Sequence, residues 1–191
     1  MKTSIARSRL RNAIVFFAKN TESCGKIKLF KLLYMLDFEH FRQTGKSVTG
    51  FQYQAWKFGP VPVELMQEWE DFEEDLEAAV EIVPERVIDY TRLAVKVRQG
   101  VEFDSDDFTG RQMTILHDLC EKYLTTQSPK MIDVTHEQNG AWDKVWAGGR
   151  GAQEEIPYSL ALADDEENRG LILELASEAK GYSYPIANGG Y

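Results

Sequence analysis

The side chains that could carry out metal or nucleophilic chemistry are few and far apart in the sequence. The 191 residues include three histidines and two cysteines, and Cys24 and Cys120 do not form the C-x-x-C pair that zinc sites commonly use. His117 is followed by Asp118, a dipeptide that can ligate a metal ion, but an amphipathic helical pattern around it favours a structural role. We therefore expect no metal site.

Motifs for covalent catalysis and for nucleotide phosphates are missing as well. The sequence has no G-x-S-x-G nucleophile elbow, and its glycine-rich stretch at 148–151 lacks the G-K-[ST] ending of a phosphate-binding loop. Acidic residues are so abundant that the presence of a carboxylate pair does not identify a catalytic site. The sequence predicts a protein that is not an enzyme and uses no cofactor.

Apolar residues recur at helical spacing along most of the chain. They predict helices over about 3–19, 26–43, 62–79, 109–123, 128–139 and 165–179. We expect a mainly α (α+β) fold, with one compact helical domain over residues 1–180, a small β-hairpin and a tail rich in Gly and Tyr at 181–191.

Two short segments stand out from the helical pattern. Clean alternation over 92–98, preceded by a shorter run at 86–90, predicts a β-hairpin that turns about Tyr90 and Thr91. The dipeptide Gly59-Pro60 predicts a turn.

The second helix should lie at the centre of the domain. Aromatic side chains widen its apolar stripe beyond the arc that a surface helix needs, and the stripe itself consists of Leu29, Leu32, Leu33 and Leu36. Asp37 and His40 lie one turn apart, a spacing that predicts a hydrogen bond orienting the imidazole.

Charge is distributed unevenly. The formal net charge is −9, yet residues 1–31 carry eight bases and one acid, +7 in all, which leaves −16 for the rest. The segment 64–77 contains eight acids and no base. Such asymmetry indicates either a charged partner or an electrostatic contact within the chain.

Nothing in the sequence indicates a membrane or an oxidising compartment. No apolar run approaches the roughly 20 residues of a membrane span, the N-terminus lacks the apolar stretch of a secretory signal, and two cysteines make no disulfide framework. We expect a cytoplasmic protein that does not bind membranes. A homo-oligomer is compatible with the sequence.

Helices followed by a hairpin also resemble a winged helix-turn-helix, and the basic first helix would suit phosphate contacts. The helix before the hairpin, which would normally enter the major groove, is the acidic one, so phosphates would repel it. Nucleic-acid binding is therefore a secondary alternative, through the basic N-terminal face.

Several motifs, taken together in order and spacing, resemble the Panacea domain, also called the SocA-like antitoxin domain. The first block comprises K-L-F-K-L-L-Y at 28–34, D-F-E-H at 37–40 and A-W-K-F-G-P-V at 55–61. Thr135-His136 and Ala141-Trp142 are similar to a Ser-His…Trp stretch in the family's last block. The resemblance covers about residues 8–146.

The resemblance implies an antitoxin that neutralises a cognate protein toxin by direct binding. A proteolytic adaptor that delivers the toxin to a ClpXP-type protease, and a DNA-binding autoregulator, are the alternatives. The family supplies no catalytic residue to carry over. Because the partners of the family vary, toxin contacts are expected outside the motif. We assign a structural role to the motif residues Leu32, Leu33, Trp56, Gly59 and Pro60.

Candidate partner-binding residues fall into three groups. The first group consists of residues with a polar tip on or beside the central helix: Lys31, Tyr34 and His40. They are either internal hydrogen-bonding groups or part of a recognition surface. An acidic face that would meet a more basic toxin contains Glu68, Asp71, Glu74 and Asp75. Tyrosine offers large contact area at little entropic cost, so the tail contributes Tyr182 and Tyr184 unless it is disordered.

Overall fold

A computed structural model describes residues 4–87 and 90–181. Within these ranges the chain forms two antiparallel two-stranded sheets and eight α-helices. The strands are β1 (Tyr53–Trp56), β2 (Gly59–Pro62), β3 (Val80–Val87) and β4 (Tyr90–Val97). The helices are α1 (Ile5–Asn20), α2 (Lys26–Thr44), α3 (Val63–Gln67), α4 (Glu74–Glu77), α5 (Gly110–Tyr123), α6 (Ser128–Thr135), α7 (Ala141–Trp146) and α8 (Arg169–Gly181). The mainly α prediction is confirmed.

Helix α2 lies at the centre, as its wide apolar stripe predicts. It packs against α1, α5, α6, α8 and β2, and the four leucines of its stripe are fully buried. The helix ends at Gly45, whose N–H donates to the Phe41 carbonyl from a left-handed conformation with φ +72°. A Cβ at this position would lie 2.8 Å from the Ile172 carbonyl oxygen of α8, so glycine also permits the α2–α8 contact.

The capping-box residues at the start of α5 predict this helix correctly. Thr109 caps its first turn, and the side chain of Gln112 accepts from the Thr109 N–H in return.

The predicted single helix over 62–79 is wrong. The structure has α3 and α4 there, separated by residues 68–73. In one continuous helix, positions 68 and 75 would lie about 10 Å apart along the axis. Instead, the guanidinium of Arg7 binds both Glu68 and Asp75, and the break in the helix brings these two carboxylates together around it.

Both predicted turns are displaced. The long hairpin pairs Val80 with Val97 and Val87 with Tyr90, so Tyr90 and Thr91 belong to β4 and do not form the turn. The first strand is longer than predicted because Pro84 breaks its alternation in the sequence. Gly59 and Pro60 lie in β2, and the turn of the β1–β2 hairpin is Lys57–Phe58.

The core is continuous from α1 through α2 to α5 and α6, and a smaller cluster of Phe41, Leu162 and Ile172 fixes α8. Over the described ranges, no helix combines the length and the apolar character that a membrane crossing requires.

Candidate partner-binding site

Lys31 of α2 is buried, with 2% of its surface exposed. Its Nζ donates to the backbone carbonyl of Pro60 at 2.8 Å, and within the described ranges no carboxylate lies in ion-pair reach. Burial without a counter-charge disfavours the ammonium form and lowers the pKa of Lys31 to about 7. The lysine of the motif thus connects the central helix to β2.

Gly59 allows this contact. Its φ is +99°, a conformation that favours glycine. A Cβ at this position would lie 2.8 Å from both Lys31 Nζ and Thr135 Oγ1, so both side chains would have to shift from their present contacts. The glycine therefore lets α2, β2 and α6 meet at one point.

The last block of the motif adds an aromatic stack at the same place. The His136 ring lies flat against Trp142 at 3.7 Å, and Trp142 stacks in turn on Trp146 at 5.5 Å. The Trp142 indole N–H donates to the Trp56 carbonyl at 3.0 Å. Burial, together with the nearby Lys31 charge, lowers the pKa of His136. The two blocks, distant in sequence, are therefore neighbours in the fold.

Asp37 organises the segment that follows α2. It is fully buried and accepts hydrogen bonds from the N–H groups of Val48 and Thr49 and from the hydroxyls of Thr49 and Tyr53, at 2.5–2.8 Å. Burial raises its pKa, although these hydrogen bonds act in the opposite direction. The predicted Asp37–His40 hydrogen bond is wrong, because His40 Nδ1 lies 2.6 Å from the Lys46 carbonyl.

The motif borders an open groove of about 940 Å³. Tyr34 and Phe38 of α2 and Ile115 of α5 form apolar parts of its lining. Its charged lining residues, of both signs, are Glu39, Arg42, Arg111, Asp118, Lys122, Glu137 and Lys144. This concave surface is large enough for side chains of a partner.

Arg7 divides the acidic face, which we define as the acids of residues 64–77. Its guanidinium binds Glu68 at 2.6 and 2.9 Å and Asp75 at 2.6 and 2.7 Å. Burial alone would raise the pKa of Asp75, but Arg7 outweighs this and holds it below its usual range. Asp71 and Glu74 are exposed, and neither forms an ion pair with a residue in the described ranges. Half of the predicted acidic residues are thus engaged within the fold.

The basic N-terminal part of the chain therefore makes an electrostatic contact with the acidic part. This is one of the two explanations that the sequence offered for the uneven charge. Other basic residues near the N-terminus are also engaged, since Lys19 pairs with Glu102 at 2.8 Å, while Lys28 is buried and donates to two backbone carbonyls. These contacts reduce the basic surface on which the nucleic-acid alternative depends.

The remaining candidate residues have diverse environments. Tyr34 and His40 are buried, with 8% and 6% exposed, so they share the internal placement of Lys31. Trp56 is half-buried, and Leu32 and Leu33 are fully buried. Tyr182 and Tyr184 lie outside the described residues.

The side chains considered for chemistry do not converge. His117 is exposed and its ring meets Phe16 edge-on at 5.0 Å. Both cysteines are buried, which raises the pKa of Cys24 to about 11 and that of Cys120 to about 12. In the part of the chain that the structure describes, no group of three or more His, Cys, Asp or Glu side chains could hold a metal ion.

Two site features were missed from the sequence. The Arg7 bridge has no local signal, because its partners are 61 and 68 residues away. Asp37 did carry a signal: it lies between Leu36 and Phe38 in a helix expected to be buried. A carboxylate in such a place requires internal donors.

Comparison with known proteins agrees with this geometry. The model of the family described as antitoxin SocA-like, Panacea domain, matches residues 29–143, which include Lys31, Gly59, His136 and Trp142. No curated protein and no solved structure matches the chain significantly. The match spans more than half of the chain and both motif blocks, and the chain belongs to the SocA-like Panacea domain family.

Proposed function

We propose that this protein is the antitoxin of a toxin–antitoxin pair, and that it neutralises a cognate protein toxin by stoichiometric binding without catalysis. The family supports an antitoxin-like role. The observation that carries the binding mode is the exposed part of the acidic face at Asp71 and Glu74, two carboxylates that no described residue pairs with.

The Arg7 bridge gives this surface a defined shape. It holds the backbone of residues 68–75 against α1 through Glu68 and Asp75, so the neighbouring free carboxylates project from a fixed segment. Exposed charges cost little in the free protein and attract an oppositely charged partner over about 10 Å. A basic toxin would therefore associate faster with this surface.

The first experiment identifies the toxin. Each neighbouring reading frame is expressed alone in a bacterial host, and then together with this protein. Growth arrest by one neighbour, relieved by this chain, supports the antitoxin role and supplies the partner for binding measurements. If no neighbour arrests growth, the antitoxin proposal loses its basis.

The second experiment tests the surface. The double variant Asp71→Lys/Glu74→Lys changes the net charge from −9 to −5, two units per substitution. Its matched control, Glu174→Lys/Glu178→Lys on α8, makes the same change at exposed positions that form no ion pair with the side chains the structure describes. At low salt we expect association with the toxin to slow about tenfold or more for the first variant, and much less for the control. Equal rates for the two variants would contradict the assignment of this surface.

A third measurement separates blockade from delivery. Under the proposal, the toxin stays intact while inhibited. Faster toxin degradation that requires both this chain and a ClpXP-type protease would replace direct blockade with the adaptor role. Steeply salt-dependent binding to its own promoter would instead support autoregulation.

A further inference from the structure

A second cavity, of about 460 Å³, lies on another face of α2. Arg9 of α1, Lys46 after α2 and Arg111 of α5 all line it, and so does His40. Its other lining residues carry hydroxyl or amide groups: Thr44, Ser47, Thr109 and Gln112. Among the described residues no carboxylate lines this cavity, although in the whole sequence acids outnumber Lys and Arg by 31 to 22.

Two of the three cations, Arg9 and Arg111, are held by hydrogen bonds to neutral groups. Arg9 Nε donates to the Asp107 backbone carbonyl at 2.6 Å, and Arg111 Nη1 donates to the Gln43 side-chain oxygen at 3.0 Å. Within the described ranges, none of the three forms an ion pair. Arg7, only two residues before Arg9, shows the contrast, since it pairs with Glu68 and Asp75 at 2.6 Å and with Glu73 at 3.6 Å.

His40 completes the wall of this cavity. A carbonyl can only accept, so His40 Nδ1 must donate to the Lys46 carbonyl. Nε2 is therefore the ring nitrogen that gains or loses the proton when His40 titrates. Burial lowers the pKa of His40, and the charges of Arg111, Arg9 and Lys46 lower it further, which shows that the three cations act on one point.

We propose that this basic pocket, formed by Arg9, Lys46, Arg111 and His40, binds the phosphate group of a small phosphorylated ligand. Guanidinium groups match phosphate oxygens in pairs, and an ammonium adds a point charge. The first turn of α5 contributes its positive end at Thr109 and Arg111. The cavity exceeds the size of phosphate alone, so it has room for the sugar or base of a mononucleotide.

The test is calorimetric titration of the full chain with inorganic phosphate, adenosine 5′-monophosphate and adenosine. We expect both phosphate-bearing probes to bind, and adenosine not to bind. Tighter binding of the nucleotide would assign a nucleotide-sized ligand, and equal binding would assign recognition of the phosphate group alone. No binding of either phosphate probe at millimolar concentration would overturn the proposal.

Variants connect binding to these residues. Arg9→Gln and Arg111→Gln should each weaken phosphate binding about tenfold or more. Arg86→Gln is the matched control, an exposed arginine in β3 that forms no ion pair with any residue the structure describes. Lys46→Gln, at an exposed position after α2, provides a test that does not depend on the packing of a helix. Equal affinity in Lys46→Gln, Arg111→Gln and the control would show non-specific screening and contradict the pocket.

Discussion

The buried polar side chains of α2 and the acidic face differ in where their polar groups lie, inside the fold or on its surface. Lys31 and Asp37 place titratable side chains inside the fold, where they bind backbone and hydroxyl groups of the same chain. Asp71 and Glu74 lie on the surface, and among the residues that the structure describes neither has an ion-pair partner. The polar residues of the family motif are therefore bound to groups within the fold. The exposed carboxylates belong to residues outside the motif.

The difference has an energetic basis. A buried charge or polar group is tolerated only with internal partners, so its replacement should change stability. An exposed charge contributes little to stability, so its replacement should change binding. Three predictions test this division, and each compares a buried or bridged group with a matched exposed or conservative change.

The largest effect is expected for Asp37→Ala. It would leave two backbone N–H groups and the Tyr53 hydroxyl without their buried acceptor, and we expect a loss of about 3–5 kcal/mol in the free energy of unfolding. Asp37→Asn keeps one acceptor oxygen and should lose less. Urea denaturation measures both, and a loss under 1 kcal/mol for Asp37→Ala would show that these groups find other partners.

Lys31 predicts a pH dependence. Its pKa is about 7 in the folded chain, below the ordinary 10.5, so the unfolded chain binds more protons between these values and stability rises with pH. From pH 7 to pH 9 the gain should be about 2 kcal/mol. Below pH 7 the lysine is protonated in both states and adds no slope.

Lys31→Met provides the comparison, because it lacks the titrating group and fills a similar volume. Its unfolding free energy should not show this rise between pH 7 and pH 9. Parallel curves for Lys31→Met and the parent protein would mean that Lys31 keeps its charge inside the fold.

A smaller effect is expected for Arg7→Gln. Two partly buried carboxylates, with Glu68 only 11% exposed, would lose their shared cation, at a cost of about 1–2 kcal/mol. The control is Arg42→Gln, whose pair with Glu39 is more exposed and should cost under about 0.5 kcal/mol. Thermal unfolding distinguishes them, and equal shifts would remove the distinction between bridged and free acids.

The candidate site was only partly predictable from the sequence, because its contacts join segments that are far apart in the chain. The burial of Lys31 at the glycine of β2 requires α2, β2 and α6 to pack together, and no spacing in the sequence encodes that meeting. The helix predicted over 62–79 failed because its break is stabilised by Arg7 from α1.

The sequence by itself determined the local elements and the central place of α2. Capping at Thr109, the glycine stop at Gly45 and the leucine stripe act between residues a few positions apart, so their signals survive in one dimension. Only the tertiary structure decided which charges face one another. Arg7 and Arg9 are near neighbours in the chain, yet Arg7 pairs with three carboxylates, and Arg9 lines a pocket whose described residues include none. These surroundings come from distant segments.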